Sequence, residues 1–310
     1  MDKKEEYLNE LLENPSGAQV LSDKLSQLLE DKEFYKYGLL VPIIEKLLSS
    51  GYENTVLSQF SHILQRALKD EILDIAEMIS DVPEGQDTLT NNATQVIARL
   101  DGEDIVDFID LLSDEKKQEM FERNEYSYNL YRQGLIREST LGGIIKGDVS
   151  IFVEEIIKEV SEGKELKKIG DEGTYSDAIE TNGYVIKLGE TRDKFEIPYH
   201  PNILQPLLRE KISDKEGKDV LIVEVQDKVD TKNVTEQQRQ ELINKLKKSK
   251  IKCKDILYGN IGILQKPNQR RLFDGVGGIT DHKNIKEETL KPGEPVVYDT
   301  DMIEYDDSDR

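Results

Sequence analysis

The chain has 310 residues and a formal net charge of −21 at pH 7, because 63 acidic side chains outnumber 42 basic ones. Such an excess of negative charge argues against a nucleic-acid coat protein or a binder of anionic membranes, since both need positive surface to displace counterions. The length suits about two domains. A single cysteine, Cys253, excludes an internal disulfide.

The N-terminal sequence MDKKEEY carries no apolar core of the signal-peptide kind. No segment approaches the roughly 20 consecutive apolar residues that a membrane-spanning helix needs. We therefore expect a protein without a membrane span, either cytoplasmic or secreted as an effector without a cleaved signal peptide.

Residues 1–140 have the periodicity of helices throughout. Apolar side chains recur at spacings of three and four over residues 20–29, 39–48 and 57–64. Turn sequences with Pro, Gly or Ser interrupt them, as at residues 14–17 and 82–85. The pattern predicts an all-helical bundle or short solenoid, and we expect it to act as a partner-binding scaffold. No residue in it indicates chemistry.

The second half has a different pattern. A connecting helix is expected at 141–164, with the apolar helical pattern over 148–163. Short apolar runs rich in β-branched residues then predict strands, and a long amphipathic helix is predicted among them over 235–248. The strands are expected at 184–188, 203–212, 220–225, 261–265 and 295–298. This order of strands, helix and strands indicates an α+β domain.

Two segments of this half have residue types that bind phosphate. The turn from Gly170 to Ser176, which includes Gly173, can direct backbone N–H groups at phosphates if it joins two strands. Lys187 ends an apolar strand and can reach the same phosphates as a point charge. Taken singly, the two segments are more typical of an ordinary hairpin and a solvated strand-end lysine.

Three further segments carry oxygen ligands. Asp255 is followed five residues later by Asn260, directly before a predicted strand. A carboxylate there can accept a hydroxyl proton, and the amide oxygen can bind a divalent cation such as Mg²⁺. Asp299 follows the apolar run 295–298, and Asp274 lies fourteen residues after Asn260. Either aspartate could be a second metal ligand, and a polar loop or turn remains the other interpretation of each segment.

In this order the segments resemble the protein-kinase-like superfamily over roughly residues 165–305. The turn at 170–176 resembles the kinase glycine-rich loop, and residues 184–187 (YVIK) resemble the VAIK strand. Residues 200–203 (HPNI) match a phrase that often opens the fourth kinase strand. Residues 253–260 (CKDILYGN) align with HRDxxxxN without a gap.

The resemblance implies a role for each residue. Lys187 becomes the ATP-phosphate lysine, Asp255 the catalytic carboxylate and Asn260 a Mg²⁺ ligand. The metal-binding aspartate of the DFG type becomes Asp299, with Asp274 as second choice. The glycine-loop residues Gly170, Gly173 and Ser176 would then cover the phosphates, and Glu224, Val225 and Gln226 would form the hinge that contacts adenine.

The sequence also departs from the family pattern. Cys253 replaces the usual His, and Leu257 replaces a Lys that contacts the transferred phosphate in many kinases. Only twelve residues separate Lys187 from His200. The helix that carries the lysine-pairing glutamate is therefore expected to be short or absent, with Glu190 or Glu196 as candidates. Few residues follow Asp299, so the lower lobe is expected to be truncated, and residues 306–310 form an acidic tail.

These features predict an ATP- and Mg²⁺-dependent phosphotransferase that acts on a protein or small-molecule hydroxyl, with the helical half binding a protein partner. The main alternative is a pseudokinase or helical scaffold that works as an interaction protein without turnover. A third hypothesis is a helical binding module joined to an unrelated α+β domain.

Overall fold

The structure, a computed structural model, describes residues 3–31, 34–100, 102–169, 176–189, 200, 202–204, 206–214, 217–253, 260–264, 292–298 and 303–305. The chain divides into two compact units. The first contains Met1–Tyr128 and Leu141–Lys146, and the second contains Asn129–Thr140 and Gly147–Arg310. The predicted division near residue 140 thus falls in a region where the two units alternate along the chain.

The N-terminal region is helical, as the periodicity predicted. Its helices are α1 (Lys3–Glu13), α2 (Gly17–Glu30), α3 (Leu40–Ser49), α4 (Glu53–Arg66), α5 (Glu71–Ser80), α6 (Gly85–Arg99), α7 (Gly102–Asp110) and α8 (Asp114–Arg123), with a 3-10 turn at Phe34–Tyr37. Then follow α9 (Glu125–Arg132), α10 (Glu138–Gly147) and α11 (Ser150–Ser161). Among the described residues, no helix combines the length and apolar character needed to cross a membrane.

The apolar stripes of these helices form the core of the first unit. Leu21, Leu25, Ile43, Leu47 and Phe60 are all at most 1% exposed. Each such side chain contributes about 1.5–3 kcal/mol through removal from water, which is why helices of ten to fifteen residues remain ordered in one unit.

A five-stranded antiparallel sheet follows in the second unit. Its strands are β1 (Lys167–Ile169), β2 (Ser176–Thr181), β3 (Tyr184–Gly189), β4 (Leu208–Ser213) and β5 (Asp219–Asp227), in the order β1-β2-β3-β5-β4. Asn182 and Gly183 connect β2 to β3 with φ angles of 49° and 83°. This is the Asn-Gly turn whose twist matches a tight hairpin.

One face of the sheet is mainly apolar and the other carries a row of charged and polar residues, because side chains alternate along each strand. Ile179, Ile186, Leu188, Val223 and Val225 are fully buried on the first face. Lys187, Arg209, Glu224 and Gln226 lie on the second.

The remaining elements form a smaller group. They are β6 (Val229–Asp230), α12 (Glu236–Lys248), β7 (Ile251–Cys253), β8 (Ile261–Leu264), β9 (Pro295–Val297) and β10 (Ile303–Tyr305). Strands β6, β8 and β9 form one antiparallel sheet, and β7 pairs with β10. One apolar cluster unites α12 with β7, β8 and β9 through Leu242, Leu246, Ile251, Ile261 and Val297.

The strand expected at 203–212 begins later than predicted, at Leu208. Ile203 instead forms an isolated parallel bridge with Val297 of β9. The backbone N–H of Leu204 donates to the Val297 carbonyl (2.8 Å), and the Val297 N–H donates to the Asn202 carbonyl (2.9 Å). Ile203 and Leu204 are apolar because they enter the cores around β8 and β9, not because they begin β4.

Candidate functional site

A row of polar side chains crosses the five-stranded sheet at the level of Lys187. Lys187 lies directly opposite Ala178 of β2 on one side and Glu224 of β5 on the other. Glu224 in turn lies directly opposite Arg209 of β4. Residues that are directly opposed across an antiparallel pair share one face of a sheet. Lys187, Glu224 and Arg209 therefore form a continuous charged row, with the carboxylate in the middle.

The row is largely withdrawn from solvent. The side chains of Glu224, Arg209 and Lys187 are 4%, 8% and 16% exposed. Arg209 Nη1 is 2.6 Å from Glu224 Oε2, which is a short charge-assisted hydrogen bond. Lys187 Nζ is 3.8 Å from the other oxygen, Glu224 Oε1. Glu224 thus binds Arg209 tightly and Lys187 more loosely.

Gln226 extends this contact network beyond the sheet. The residue is 3% exposed and lies on the same face as Glu224, two residues further along β5. With the amide oriented to satisfy its neighbours, its nitrogen donates to Glu224 Oε1 (3.2 Å) and to the carbonyl of Tyr298 (3.1 Å). The backbone N–H of Tyr298 donates to the Asn260 carbonyl (3.2 Å). A chain of contacts therefore runs from Lys187 through Glu224, Gln226 and Tyr298 to Asn260.

Paired strands flank two of the predicted site segments. Cys253 at the end of β7 lies opposite Ile303 at the start of β10. Ile261 at the start of β8 lies opposite Val297 at the end of β9. In sequence, residues 254–260 connect β7 to β8, and residues 298–302 connect β9 to β10. At one end of the two segments β7 pairs with β10, and at the other end β8 pairs with β9. The segments that contain Asp255 and Asp299 therefore begin and end at paired strands.

Five predicted site residues lie outside the described residues: Gly170, Gly173, Asp255, Asp274 and Asp299. Glu190 and Glu196, the expected partners of Lys187, also lie outside them. Their roles remain predictions. Ser176 is described: it opens β2 directly opposite Gly189, which ends β3 two residues after Lys187. In sequence, the predicted glycine-rich turn lies between β1 and β2, which pair with each other.

The three predicted hinge residues belong to β5, and their contacts are specific. The Glu224 carboxylate is part of the charged row. The carbonyl of Val225 accepts a hydrogen bond from the Leu207 N–H (2.7 Å), and Gln226 joins Glu224 to Tyr298. The predicted contact with adenine remains a prediction for this end of β5.

The sequence interpretation missed Arg209 and the pairing of Glu224 with Lys187. The sequence of β5, DVLIVEVQD, does contain a signal for this pairing, because Glu224 stands between two valines in an apolar strand. A carboxylate in the middle of a buried strand requires cationic or hydrogen-bonding partners. The sequence alone did not show which residues of the neighbouring strands supply them.

A second buried carboxylate, Asp177 of β2, lies on the opposite face of the sheet from Lys187. It accepts hydrogen bonds from the Arg137 N–H (2.8 Å), Arg137 Nε (3.2 Å) and the Thr140 hydroxyl (2.6 Å). Lys168 Nζ is 3.5 Å away. These contacts attach residues 137–140 to β2, so we assign Asp177 to the stability of the second unit.

Within the described part of the chain, no group of three or more His, Cys, Asp or Glu residues is arranged to bind a metal. The predicted Mg²⁺ ligands include Asp299 and Asp274, which lie outside that part.

Comparisons of the chain with protein-family models, with curated proteins and with solved structures found no match.

Proposed function

We propose that residues 165–305 bind ATP with Mg²⁺ and transfer its terminal phosphoryl group to a hydroxyl of a protein or small molecule. The observation that carries the proposal is the buried row of Lys187, Glu224 and Arg209, connected through Gln226 and Tyr298 to Asn260. In the same proposal, the N-terminal helical region binds the protein partner.

Charge supports an anionic ligand at this row. Two cations share one carboxylate there, in a protein whose formal net charge is −21. Coulomb interactions are stronger in a partly buried site than in water, so cationic side chains there favour a negatively charged ligand. A lysine ammonium binds phosphate oxygens as a point charge. Lys187 Nζ is 3.8 Å from Glu224 Oε1, and its side chain is 16% exposed, so a ligand in solvent can reach it.

The order of elements is compatible with the resemblance. A β1–β2 hairpin flanks the glycine-rich turn, and Lys187 follows on β3. Helix α12 and β7 precede Asp255, and β8 follows Asn260. Tyr298 belongs to the series of contacts that runs from Lys187 to Asn260, and Asp299 follows it directly in sequence. Asp274 lies ten residues beyond the end of β8. This adjacency favours Asp299 over Asp274 as the metal-binding aspartate.

The proposed roles follow from the chemistry of each group. Lys187 holds the phosphates of ATP, and the oxygens of Asn260 and Asp299 bind Mg²⁺, which neutralises developing charge on the phosphates. Asp255 accepts the proton of the attacking hydroxyl. The hydroxyl oxygen forms a bond to the terminal phosphorus, the bond to the bridging oxygen breaks, and ADP leaves.

The proposal is tested by incubating the protein with ATP labelled in its terminal phosphate, Mg²⁺ and generic protein acceptors. We expect label to appear in protein with the wild type, and the Asp255→Ala variant to lose about two orders of magnitude or more in rate, the usual contribution of a general base. Equal transfer by both proteins would contradict the role of Asp255. Binding of ATP without transfer would favour the interaction-protein alternative.

A further inference from the structure

We infer that Glu224 is a positioning residue of Lys187, and that the sheet itself supplies a carboxylate that orients this lysine toward the nucleotide phosphates. The inference rests on the proposed function and deepens it. It differs from the expectation that Glu190 or Glu196, in the segment after β3, pairs with the lysine.

The two oxygens of Glu224 have separate partners. Oε2 binds Arg209 at 2.6 Å, whereas Oε1 accepts from Gln226 at 3.2 Å and faces Lys187 at 3.8 Å. Strand β5 pairs with β3 on one side and with β4 on the other. The backbone, Arg209 and Gln226 thus hold the carboxylate in place, so its position does not depend on Lys187.

A fixed carboxylate orients a neighbouring ammonium group through charge attraction. The distance of 3.8 Å is longer than a direct hydrogen bond, so Glu224 attracts Lys187 without a direct hydrogen bond to any of its three N–H donors. Arg209, which binds the other oxygen directly, offsets the cost of burying Glu224.

A purely structural role for the row makes a different prediction. If Glu224 only stabilises the sheet, its removal weakens nucleotide binding equally whether or not Lys187 is present. If Glu224 acts through Lys187, its removal has no further effect once Lys187 is gone. Double-mutant cycles measure this difference directly.

The experiment measures the dissociation constant of ATP, at saturating Mg²⁺, for four full-length proteins by isothermal titration calorimetry. They are the wild type, Lys187→Met, the pair Arg209→Gln/Glu224→Gln, and the combination of all three substitutions. The pair is used because Glu224→Gln alone leaves the Arg209 charge buried without its carboxylate. We expect Lys187→Met and the pair each to weaken binding by about tenfold or more, equivalent to about 1.4 kcal/mol. The triple variant should bind no more weakly than Lys187→Met.

Two further variants complete the test. Lys211→Gln/Asp219→Asn removes a half-exposed ion pair between the same two strands, β4 and β5, and should leave ATP affinity unchanged. Glu224→Asp keeps a negative charge for Arg209 but withdraws the carboxylate from Lys187, and should weaken binding even if the neutral pair does not fold.

Additive losses in the cycle, or unchanged affinity in the neutral pair or in Glu224→Asp, would overturn the inference. Failure of the wild type to bind ATP would instead overturn the proposed function itself. Wild-type binding that depends on Lys187 but not on Glu224 would leave the function standing and remove only the inference.

Discussion

Glu224 of β5 lies directly opposite Lys187 of β3, with 3.8 Å between Lys187 Nζ and Glu224 Oε1. The same carboxylate binds Arg209 of β4 through its second oxygen. One buried acid thus joins the three strands β3, β5 and β4, and its neighbour Gln226 joins them to Tyr298. This row connects the stability of the sheet with the proposed binding of ATP.

The Glu224→Gln substitution should lower the free energy of unfolding by about 3–5 kcal/mol, because it leaves a buried arginine without its carboxylate. The pair Arg209→Gln/Glu224→Gln should cost clearly less, since neither charge remains. Urea unfolding followed by circular dichroism measures both values. If the pair costs as much as the single substitution, Arg209 is not balanced by Glu224 in the folded protein.

Asp177→Asn should lower the free energy of unfolding by about 2–3 kcal/mol, because the buried carboxylate accepts charge-assisted hydrogen bonds that an amide cannot all replace. Asp219→Asn is the matched control. Asp219 forms a half-exposed ion pair with Lys211, of the kind that contributes little to stability, and accepts a hydrogen bond from the Ser213 hydroxyl (2.8 Å). Equal effects of the two substitutions on urea unfolding would contradict the structural role of Asp177.

Thr235→Ala should destabilise α12 by about 1 kcal/mol. The Thr235 hydroxyl accepts from the Gln238 N–H (3.2 Å), and the Gln238 side chain accepts from the Thr235 N–H (2.9 Å), so the two residues form a capping box. Gln240→Ala, in the middle of the same helix, serves as the control. The prediction fails if the two variants have the same thermal midpoint.

Glu210→Gln should stabilise the protein at neutral pH and have no effect in acid. Burial raises the pKa of the Glu210 carboxyl above its ordinary value, so the folded state favours its protonated form. Its favourable contribution to stability is present below the unfolded pKa and is lost as pH rises through the folded pKa. The partly exposed side chain limits the gain to a fraction of a kcal/mol. Thermal midpoints of both proteins at pH 3 and pH 7 measure it, and a gain that is equal at both values would contradict the assignment.

Local sequence patterns predicted those elements whose signals are local. The β-branched runs at 184–188 and 220–225 predicted β3 and β5, and α12 begins directly after Thr235, where the predicted helix starts. The pattern gave the wrong start for β4, because an apolar pair such as Ile203 and Leu204 can fill a core without forming a strand. Periodicity does not distinguish the two cases.

Pairing between distant segments could not be predicted in the same way. Strands β7 and β10 have three residues each, too few for a periodic signal, and they pair Cys253 with Ile303 across fifty positions of sequence. The charged row depends likewise on the register of three strands. Lys187 was identified from its own strand, but its pairing with Glu224 and that of Glu224 with Arg209 follow only from the observed register.

The contribution of Lys187 to an ATP site is tested most directly by the thermal midpoints of the wild type and of Lys187→Met, measured over a titration of ATP with Mg²⁺. A ligand that binds only the folded state stabilises it by about 2.7 kcal/mol at a hundred times its dissociation constant. We predict that the midpoint of the wild type rises with ATP and that Lys187→Met, folded without nucleotide, loses most of that rise. A wild type that does not respond, or an equal rise in both proteins, would contradict the account.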